Sequence, residues 1–220
     1  MPKSRLLTTL ALTGIAASAA IVTTSAASAN MKTVYLKNHM TVRIIWSGRI
    51  VKPMAQQLRH AIRKWHGKAQ HGFELVLNSR GGHMSEGRKV IRSLRELKQT
   101  RSLKTVVLPG KICGSSCIPI FLQGEQRSAS ASTLWLLHEV SKTDKKTKKL
   151  IALRPQKTQK FFREYFLPAG VPQTWIDMIS SKIRGKDLWW TGRQIYQSGS
   201  NFITNRLGNT RTRRIYPRSS

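Results

Sequence analysis

Acidic residues are scarce in this chain of 220 residues, which has nine of them against 39 Lys and Arg residues. It also has only two cysteines, with no histidines at the spacing of a zinc finger. No glycine-rich phosphate loop, dinucleotide fingerprint or RNA-binding aromatic signature is present in the sequence. These absences argue against a structural zinc site and a nucleotide cofactor, and we expect neither a metal nor a cofactor.

The formal net charge is +30, and the basic residues are spread along the whole chain. A field of this sign attracts nucleic acid, anionic lipid or acidic substrates. Because the charge does not sit in a nucleic-acid-binding motif, we do not expect nucleic acid as the partner. The expected partner is an anionic envelope surface, and a solvated surface adapted to its medium is an equally good explanation.

The N-terminus has the composition of a secretory signal peptide. Lys3 and Arg5 precede a charge-free apolar stretch over residues 6–22, and Ala-Ser-Ala at 27–29 fits a signal peptidase site. We therefore predict a signal peptide over 1–29 and a periplasmic or secreted mature protein that begins at Asn30. An uncleaved membrane anchor is the alternative, although the stretch is short for a span of about 20 apolar residues.

The remaining sequence predicts one α/β domain over residues 30–205, built from repeated β-β-α units with a C-terminal helical segment. Residues 206–220 form a basic tail that we expect to be disordered. Residues 143–149 carry a charge run typical of an exposed turn. The predicted elements are strands near 42–47, 73–78, 104–109 and 133–138, helices at 54–65, 85–97 and 192–198, and an aromatic helical segment over 161–179 that breaks at 168–170.

Several segments carry residues suited to nucleophilic catalysis. A serine hydroxyl needs a positioned base, and Ser115 lies in a small-residue turn while His138 ends an apolar stretch. The glycines of Asn78-Ser79-Arg80-Gly81-Gly82 can turn backbone N–H groups toward a ligand. Asp187 could orient the imidazole. Taken singly, these features are also explained by a turn serine, a strand-to-helix turn and a carboxylate that pairs with a basic side chain.

The order and spacing of these segments resemble the proteolytic subunit of Clp protease (ClpP) and its periplasmic relatives, over roughly residues 42–205. Ser115 lies nine positions before Gly124, as the nucleophile of that family lies before its glycine, and Arg127 follows at a matching place. The resemblance implies a ClpP/crotonase-like fold and a homo-oligomer. It implies Ser115 as nucleophile, His138 as base and Asp187 as orienting carboxylate, with the backbone N–H groups of Gly82 and Ser116 as oxyanion donors.

The sequence departs from that family at three places. Arg80 stands where a proline is expected, Ser116 replaces an apolar residue, and Glu139-Val140 follows the histidine in place of Gln-Pro. Ser116 leaves open which serine of the pair is the nucleophile, and the spacing to Gly124 favours Ser115.

These features together predict an exported serine endopeptidase that acts on peptides or proteins. Two alternatives are a non-catalytic envelope-binding protein that uses its basic surface and a crotonase-like acyl-CoA enzyme. Export argues against the latter, since little coenzyme A is expected outside the cytoplasm, and it argues equally against an ATP-driven unfoldase partner.

An oxidising compartment would also permit a disulfide between Cys113 and Cys117. Such a bridge would span the turn that holds the nucleophile. Two buried thiols that pack beside the helix are the alternative.

Overall fold

The computed structural model describes residues 29–144, 146–147, 150–153 and 155–208. In chain order, the strands are β1 (Asn30–Leu36), β2 (Thr41–Ser47), β3 (Phe73–Asn78), β4 (Leu103–Val107), β5 (Ile112–Gly114), β6 (Gln126–Ser130), β7 (Leu134–Leu137), β8 (Ser141–Thr143), β9 (Leu150–Ala152), β10 (Leu188–Thr191) and β11 (Asn205–Leu207). The helices are α1 (Met54–Trp65), α2 (Met84–Leu97), α3 (Cys117–Phe121), α4 (Pro155–Tyr165), α5 (Gln173–Lys182) and α6 (Gly192–Gln197), and 3₁₀ turns span Lys37–His39 and Leu167–Ala169.

Within these residues the larger sheet has six strands in the spatial order β1-β2-β3-β4-β6-β11. β1 is antiparallel to β2, and every other neighbouring pair is parallel. Parallel neighbours need a crossover connection, and α1, α2 and α3 lie in those connections. The sheet is therefore an ordered stack of strand–helix units, with β1 as an antiparallel edge.

A second sheet of three strands in the order β10-β7-β5 lies beside the first. The unit β4-β5-α3 contributes one strand to each sheet and then a helix, and β6-β7 repeats the pattern. Among the described residues, the units that begin with β2 and β3 have no second strand. In its place they have isolated β-bridges, Ile50 with Gly82 and Ser79 with Cys113. The predicted α/β fold of repeated β-β-α units is confirmed.

The core lies between the larger sheet and its helices, and periodicity explains which side chains enter it. On β2 the residues alternate, so that Val42, Ile44 and Trp46 are buried. The buried face of α1 recurs at helical spacing in Met54, Leu58 and Ala61. Both elements have the bounds that the sequence predicts, to within one residue.

The C-terminal segment is helical, as predicted. α4 and α5 are separated by the 3₁₀ turn and Gly170, whose φ is +80°. Thr191 caps α6, because its hydroxyl accepts from the Gln194 N–H while the Gln194 side chain accepts from the Thr191 N–H. This capping box ends β10 and begins the last helix at the predicted place.

The structure differs from the predicted elements at two places, the start of the predicted tail and the predicted turn over 143–149. β11 pairs with β6 in parallel and includes Arg206 and Leu207, which the sequence analysis had placed in the basic tail. Residues 209–220 of the predicted tail lie outside the described residues, as do residues 1–28 of the signal peptide predicted over 1–29. The predicted exposed turn over 143–149 begins inside a hairpin, because Thr143 pairs with Leu150. No helix in the described ranges has the length and apolar character needed to cross a membrane.

Candidate active site

The small sheet brings the three predicted triad residues to one edge. β7 lies in the middle, with β5 parallel to it and β10 antiparallel to it. Ser115 follows β5 and His138 follows β7, so both lie at the carboxyl ends of parallel neighbours. Asp187 precedes β10, whose first residue, Leu188, pairs with Leu137. Continuing this antiparallel register by one residue places Asp187 opposite His138, and all three residues line one cavity of about 550 Å³.

Ser115 occupies a sharp turn between β5 and α3. Its φ is +52°, a left-handed conformation that costs a non-glycine residue about 1–2 kcal/mol. The turn is tied to the small sheet, since the Ser115 N–H donates to the Leu136 carbonyl at 2.9 Å. A strained strand-to-helix turn of this kind presents the serine hydroxyl in the site instead of burying it in the sheet.

The neighbouring Ser116 has a different environment. Its residue is 3% exposed, and its hydroxyl has no hydrogen-bond partner among the described residues, whereas Ser115 is half-buried. Both serines line the cavity. The accessible hydroxyl on the strained turn is therefore that of Ser115, which agrees with the choice made from its spacing to Gly124.

The Gly81-Gly82 turn approaches the serine turn closely. A Cβ on Gly81 would lie 2.7 Å from the Ser115 Cβ, and one on Gly82 would lie 2.3 Å from the Ile50 carbonyl oxygen. Gly81 also has a φ of +104°, a region that favours glycine. The two glycines therefore permit a backbone-to-backbone approach that any side chain would prevent.

The same contacts orient the Gly82 amide. The Ile50 N–H donates to the Gly81 carbonyl at 3.0 Å, and the His83 N–H donates to the Ile50 carbonyl at 2.7 Å. The Gly81 carbonyl and the His83 N–H therefore both point toward Ile50. Because successive peptide groups of an extended segment point in opposite directions, the Gly82 N–H points away from Ile50. In the described part of the chain neither this amide nor that of Ser116 has an acceptor. Two unpaired N–H groups thus border the cavity, as an oxyanion hole requires.

His138 has one ring nitrogen engaged. Its Nδ1 lies 2.6 Å from the Glu139 carbonyl oxygen, which can only accept a hydrogen bond. Nδ1 must therefore carry the proton in this contact, and the neutral ring then has its lone pair on Nε2. The Glu139 side chain is held in turn, because its Oε2 accepts from the Gly185 N–H at 2.9 Å.

Asp187 is exposed and takes no part in that contact. Among the hydrogen bonds of the described residues, none joins His138 to Asp187 or Ser115 to His138. The structure therefore gathers the three residues around one cavity without linking them. The imidazole is held at Nδ1 by a backbone carbonyl, a contact that the sequence does not signal.

A disulfide joins Cys113 to Cys117, with their Cα atoms 5.3 Å apart, as predicted. Both half-cystines are fully buried. The bridge spans the last strand residues of β5, Ser115, Ser116 and the first residue of α3. It therefore constrains the turn that carries both the candidate nucleophile and one candidate oxyanion donor.

We expect removal of this bridge to affect activity more than stability. Closing so short a loop contributes about 2 kcal/mol, so Cys113→Ala with Cys117→Ala should lower the unfolding midpoint only moderately. A displacement of the turn by about 1 Å should lower kcat/KM on the order of 100-fold. Urea unfolding and peptide cleavage test this, with alkylation and intact mass to establish the oxidised state of the parent. Unchanged kcat/KM in the double variant would show that the bridge does not position the site.

One side of the cavity is apolar and the other is cationic. The apolar lining comes from α2, α3, β7, α4 and the residue that follows α4, and it includes Met84, Ile118, Leu137, Phe161, Phe162 and Phe166. The cationic side has Arg49 and Arg80. The aromatic residues have the core-packing role predicted from the sequence, since Phe162 and Phe166 are almost fully buried, and they also line the cavity. Arg49 carried no sequence signal, and Arg80 was noted only as a departure from the family pattern.

No group of three or more His, Cys, Asp and Glu side chains in the described ranges is placed to hold a metal ion. The candidate catalytic groups of the site are a hydroxyl, an imidazole and backbone amides.

Comparison with solved structures shows the ClpP fold. ClpP1 from Listeria monocytogenes superposes with a TM-score of 0.58 at 17% identity, over 79% of this chain and 94% of that one. A mutant of the same protein gives 0.56 at 17% identity, over 80% and 95%. The ClpP protease catalytic domain from Plasmodium falciparum gives 0.57 at 17% identity, over 84% and 91%. No protein-family model matches the chain, and no curated protein matches it.

Proposed function

We propose that this protein is a serine endopeptidase. In the proposed reaction, His138 Nε2 takes the proton from Ser115 Oγ as that oxygen attacks a peptide carbonyl. The backbone N–H groups of Gly82 and Ser116 stabilise the oxyanion of the tetrahedral intermediate. The imidazolium then protonates the leaving amine, and a water molecule, deprotonated by the same imidazole, hydrolyses the acyl-enzyme.

The observation that carries this proposal is the arrangement of the small sheet. Its register brings Ser115, His138 and Asp187 to one edge and one cavity, and the fold is that of ClpP proteases. Catalytic hydrogen bonds are often long or poorly aligned before substrate binds, so their absence between these side chains is compatible with activity. Asp187 is proposed to stabilise the charged imidazole after a small movement of the exposed segment that precedes β10.

The apolar lining of the cavity suggests which type of substrate side chain precedes the scissile bond. Phe161, Phe162 and Met84 offer an aromatic and aliphatic wall beside the proposed oxyanion donors. Such a wall favours an apolar side chain on the carbonyl side of the bond to be cleaved.

The test is the cleavage of fluorogenic peptides with leucine before the scissile bond, with products identified by mass. We expect cleavage by the wild type and none by Ser115→Ala. An acyl-CoA thioester serves as a second substrate, and hydrolysis of the thioester without peptide cleavage would contradict the peptidase assignment in favour of a crotonase-like activity.

A non-catalytic role at an anionic envelope surface is the second candidate. It is favoured by the excess of basic residues, since the described residues form only two ion pairs, Arg43 with Glu74 and Lys89 with Glu86. Binding to phosphatidylglycerol vesicles by a folded protein that cleaves no peptide and reacts with no serine-directed probe would favour it.

We further propose that the protein is exported with cleavage after Ala29. β1 begins at Asn30, which is the residue predicted to start the mature chain. Mass analysis of the N-terminal peptide from the expressing cell tests this. A chain that retains residues 1–29 in the membrane fraction would instead favour the anchor.

Oligomer formation is expected to depend on salt. The segment between His138 and Asp187 contains nine lysines, five of which cluster within residues 142–149. Like charges repel when a symmetric contact brings them together. Lys142 and Lys146 of this cluster are exposed, and its remaining three lysines lie outside the described residues. Since the screening length is about 10 Å at 0.1 M salt and 30 Å at 0.01 M, a homo-oligomer should become smaller as salt is removed. Light scattering measures this, and a large ring of constant mass at low ionic strength would contradict it.

A further inference from the structure

The cationic side of the cavity has two arginines and little to neutralise them. Arg49 and Arg80 line it, and among the described residues that line it Asp187 is the only one with a carboxylate. Neither arginine belongs to an ion pair in the part of the chain that the structure describes. Two guanidinium groups therefore border the candidate catalytic residues without a carboxylate partner of their own.

Arg80 lies close to an aromatic ring. Its guanidinium carbon lies 5.8 Å from the centroid of the Trp189 ring, and Trp189 is 42% exposed on β10. A cation within about 6 Å of an indole centroid is attracted by the ring quadrupole, and the guanidinium has several N–H donors with which to bind a carboxylate. This contact favours one orientation of the exposed side chain, and such a preference reduces the entropy lost on binding.

Both arginines lie near Gly82, which supplies a proposed oxyanion donor. Arg80 lies two residues before Gly82, and Arg49 precedes Ile50, which bridges to Gly82. Met84, on the apolar wall, lies two residues after Gly82. Along this segment the cationic and apolar linings therefore lie on either side of Gly82.

We propose that Arg80, assisted by Arg49, binds a carboxylate that lies just beyond the scissile bond of the substrate. This inference rests on the proposed function, because Gly82 locates the scissile carbonyl. A peptide with its apolar residue against the Phe161 side then directs its next residue toward Arg80. The substrate class is a peptide with an apolar residue followed by a carboxylate, supplied by an Asp or Glu side chain or by the C-terminus.

Cleavage of four matched peptides tests the preference in the full mature protein. All have leucine before the scissile bond. Three are amidated at the C-terminus and have Asp, Asn or Lys after the bond, and the fourth has Ala with a free C-terminal carboxylate. We expect kcat/KM for Asp to exceed that for Asn by about tenfold, as for a hydrogen bond to a charged group, and Lys to be the poorest. A faster rate on the fourth peptide than on the Asp peptide would identify the C-terminus as the carboxylate source.

The variants assign the preference to the arginine. Arg80→Gln should bring the Asp and Asn rates together, and Arg80→Lys should keep part of the difference because it keeps the charge without the planar fork. Arg59→Gln removes the same charge from an exposed position on α1, outside this cavity, and should keep the full preference. Equal rates on Asp and Asn peptides in the wild type, or an unchanged preference in Arg80→Gln, would overturn the proposal.

A binding measurement separates this proposal from the peptidase proposal. In the Ser115→Ala background, fluorescence anisotropy of the labelled Asp and Asn peptides reports carboxylate recognition without turnover. Tighter binding of the Asp peptide, lost with Arg80→Gln, supports the carboxylate site even if the wild type cleaves nothing, which would refute only the peptidase. Equal binding of the two peptides to Ser115→Ala, together with cleavage of both by the wild type at equal rates, would refute the carboxylate site and leave the peptidase intact.

Discussion

Ser115→Ala is expected to abolish covalent labelling by a fluorophosphonate probe, while Ser116→Ala reduces it only partly. Loss of a serine nucleophile lowers the chemical rate by roughly 10⁴-fold or more. The Ser116 hydroxyl is buried and has no partner among the described residues, so its removal breaks no hydrogen bond and keeps the backbone N–H in place. Gel fluorescence and the mass of the labelled active-site peptide measure both effects.

Ser181→Ala is a suitable control, because Ser181 is exposed on α5 and does not line the cavity. It should label like the wild type. Labelling that survives Ser115→Ala and disappears in Ser116→Ala would move the nucleophile by one residue, and with it the assignment of the oxyanion donor. Circular dichroism of each variant shows whether a loss of labelling reflects a loss of fold.

Arg127→Leu is expected to destabilise the domain by about 3–5 kcal/mol. Arg127, on β6, is 7% exposed and donates to the carbonyls of Gly124, Ala169, Asn201 and Phe202 at 3.2, 2.9, 2.9 and 2.9 Å. Burial lowers the pKa of this guanidinium. Leucine would fill much of the volume but would leave these acceptors without a donor, and each buried unsatisfied group costs about 1–3 kcal/mol.

Urea unfolding measures this change. Arg193→Leu makes the same substitution at an exposed position on α6 and should alter stability by no more than about 0.5 kcal/mol. An Arg127→Leu variant that unfolds at the wild-type midpoint would contradict this prediction. In that case water would satisfy the four carbonyls, and the hydrogen bonds of Arg127 would not stabilise the contact between β6 and the C-terminal segment. Arg127→Lys should fall between the two, because it keeps a charge and donors but cannot reach four carbonyls at once.

The elements that the sequence predicts are those whose burial follows a simple period. α1 and α2 each have one apolar face, and β3 is an apolar run that ends at a glycine turn. β6 reads Gln-Arg-Ser-Ala-Ser and shows neither pattern, although four of its residues are buried. It is a strand because β4 and β11 pair with it on both sides, which no local pattern reveals.

The sequence by itself determined which residues are candidates for the chemistry. The Cys-Gly-Ser-Ser-Cys turn, the histidine at a strand end and the Asp before the last helix are recognisable from residue type, order and spacing. The disulfide could also be predicted from the sequence, because two cysteines four positions apart are close enough to be joined across one turn.

Only the tertiary structure decided how these candidates meet. Residues 115, 138 and 187 reach one edge because β10 returns antiparallel to β7, a pairing between segments about 50 positions apart in the chain. Their hydrogen bonding and the surrounding charges were decided in the same way. The Glu139 carbonyl contacts His138 Nδ1, and Trp189 contacts Arg80, which lines the cavity. The physical reason is that directional contacts between distant segments depend on strand register and packing, and neither leaves a periodic trace in the sequence.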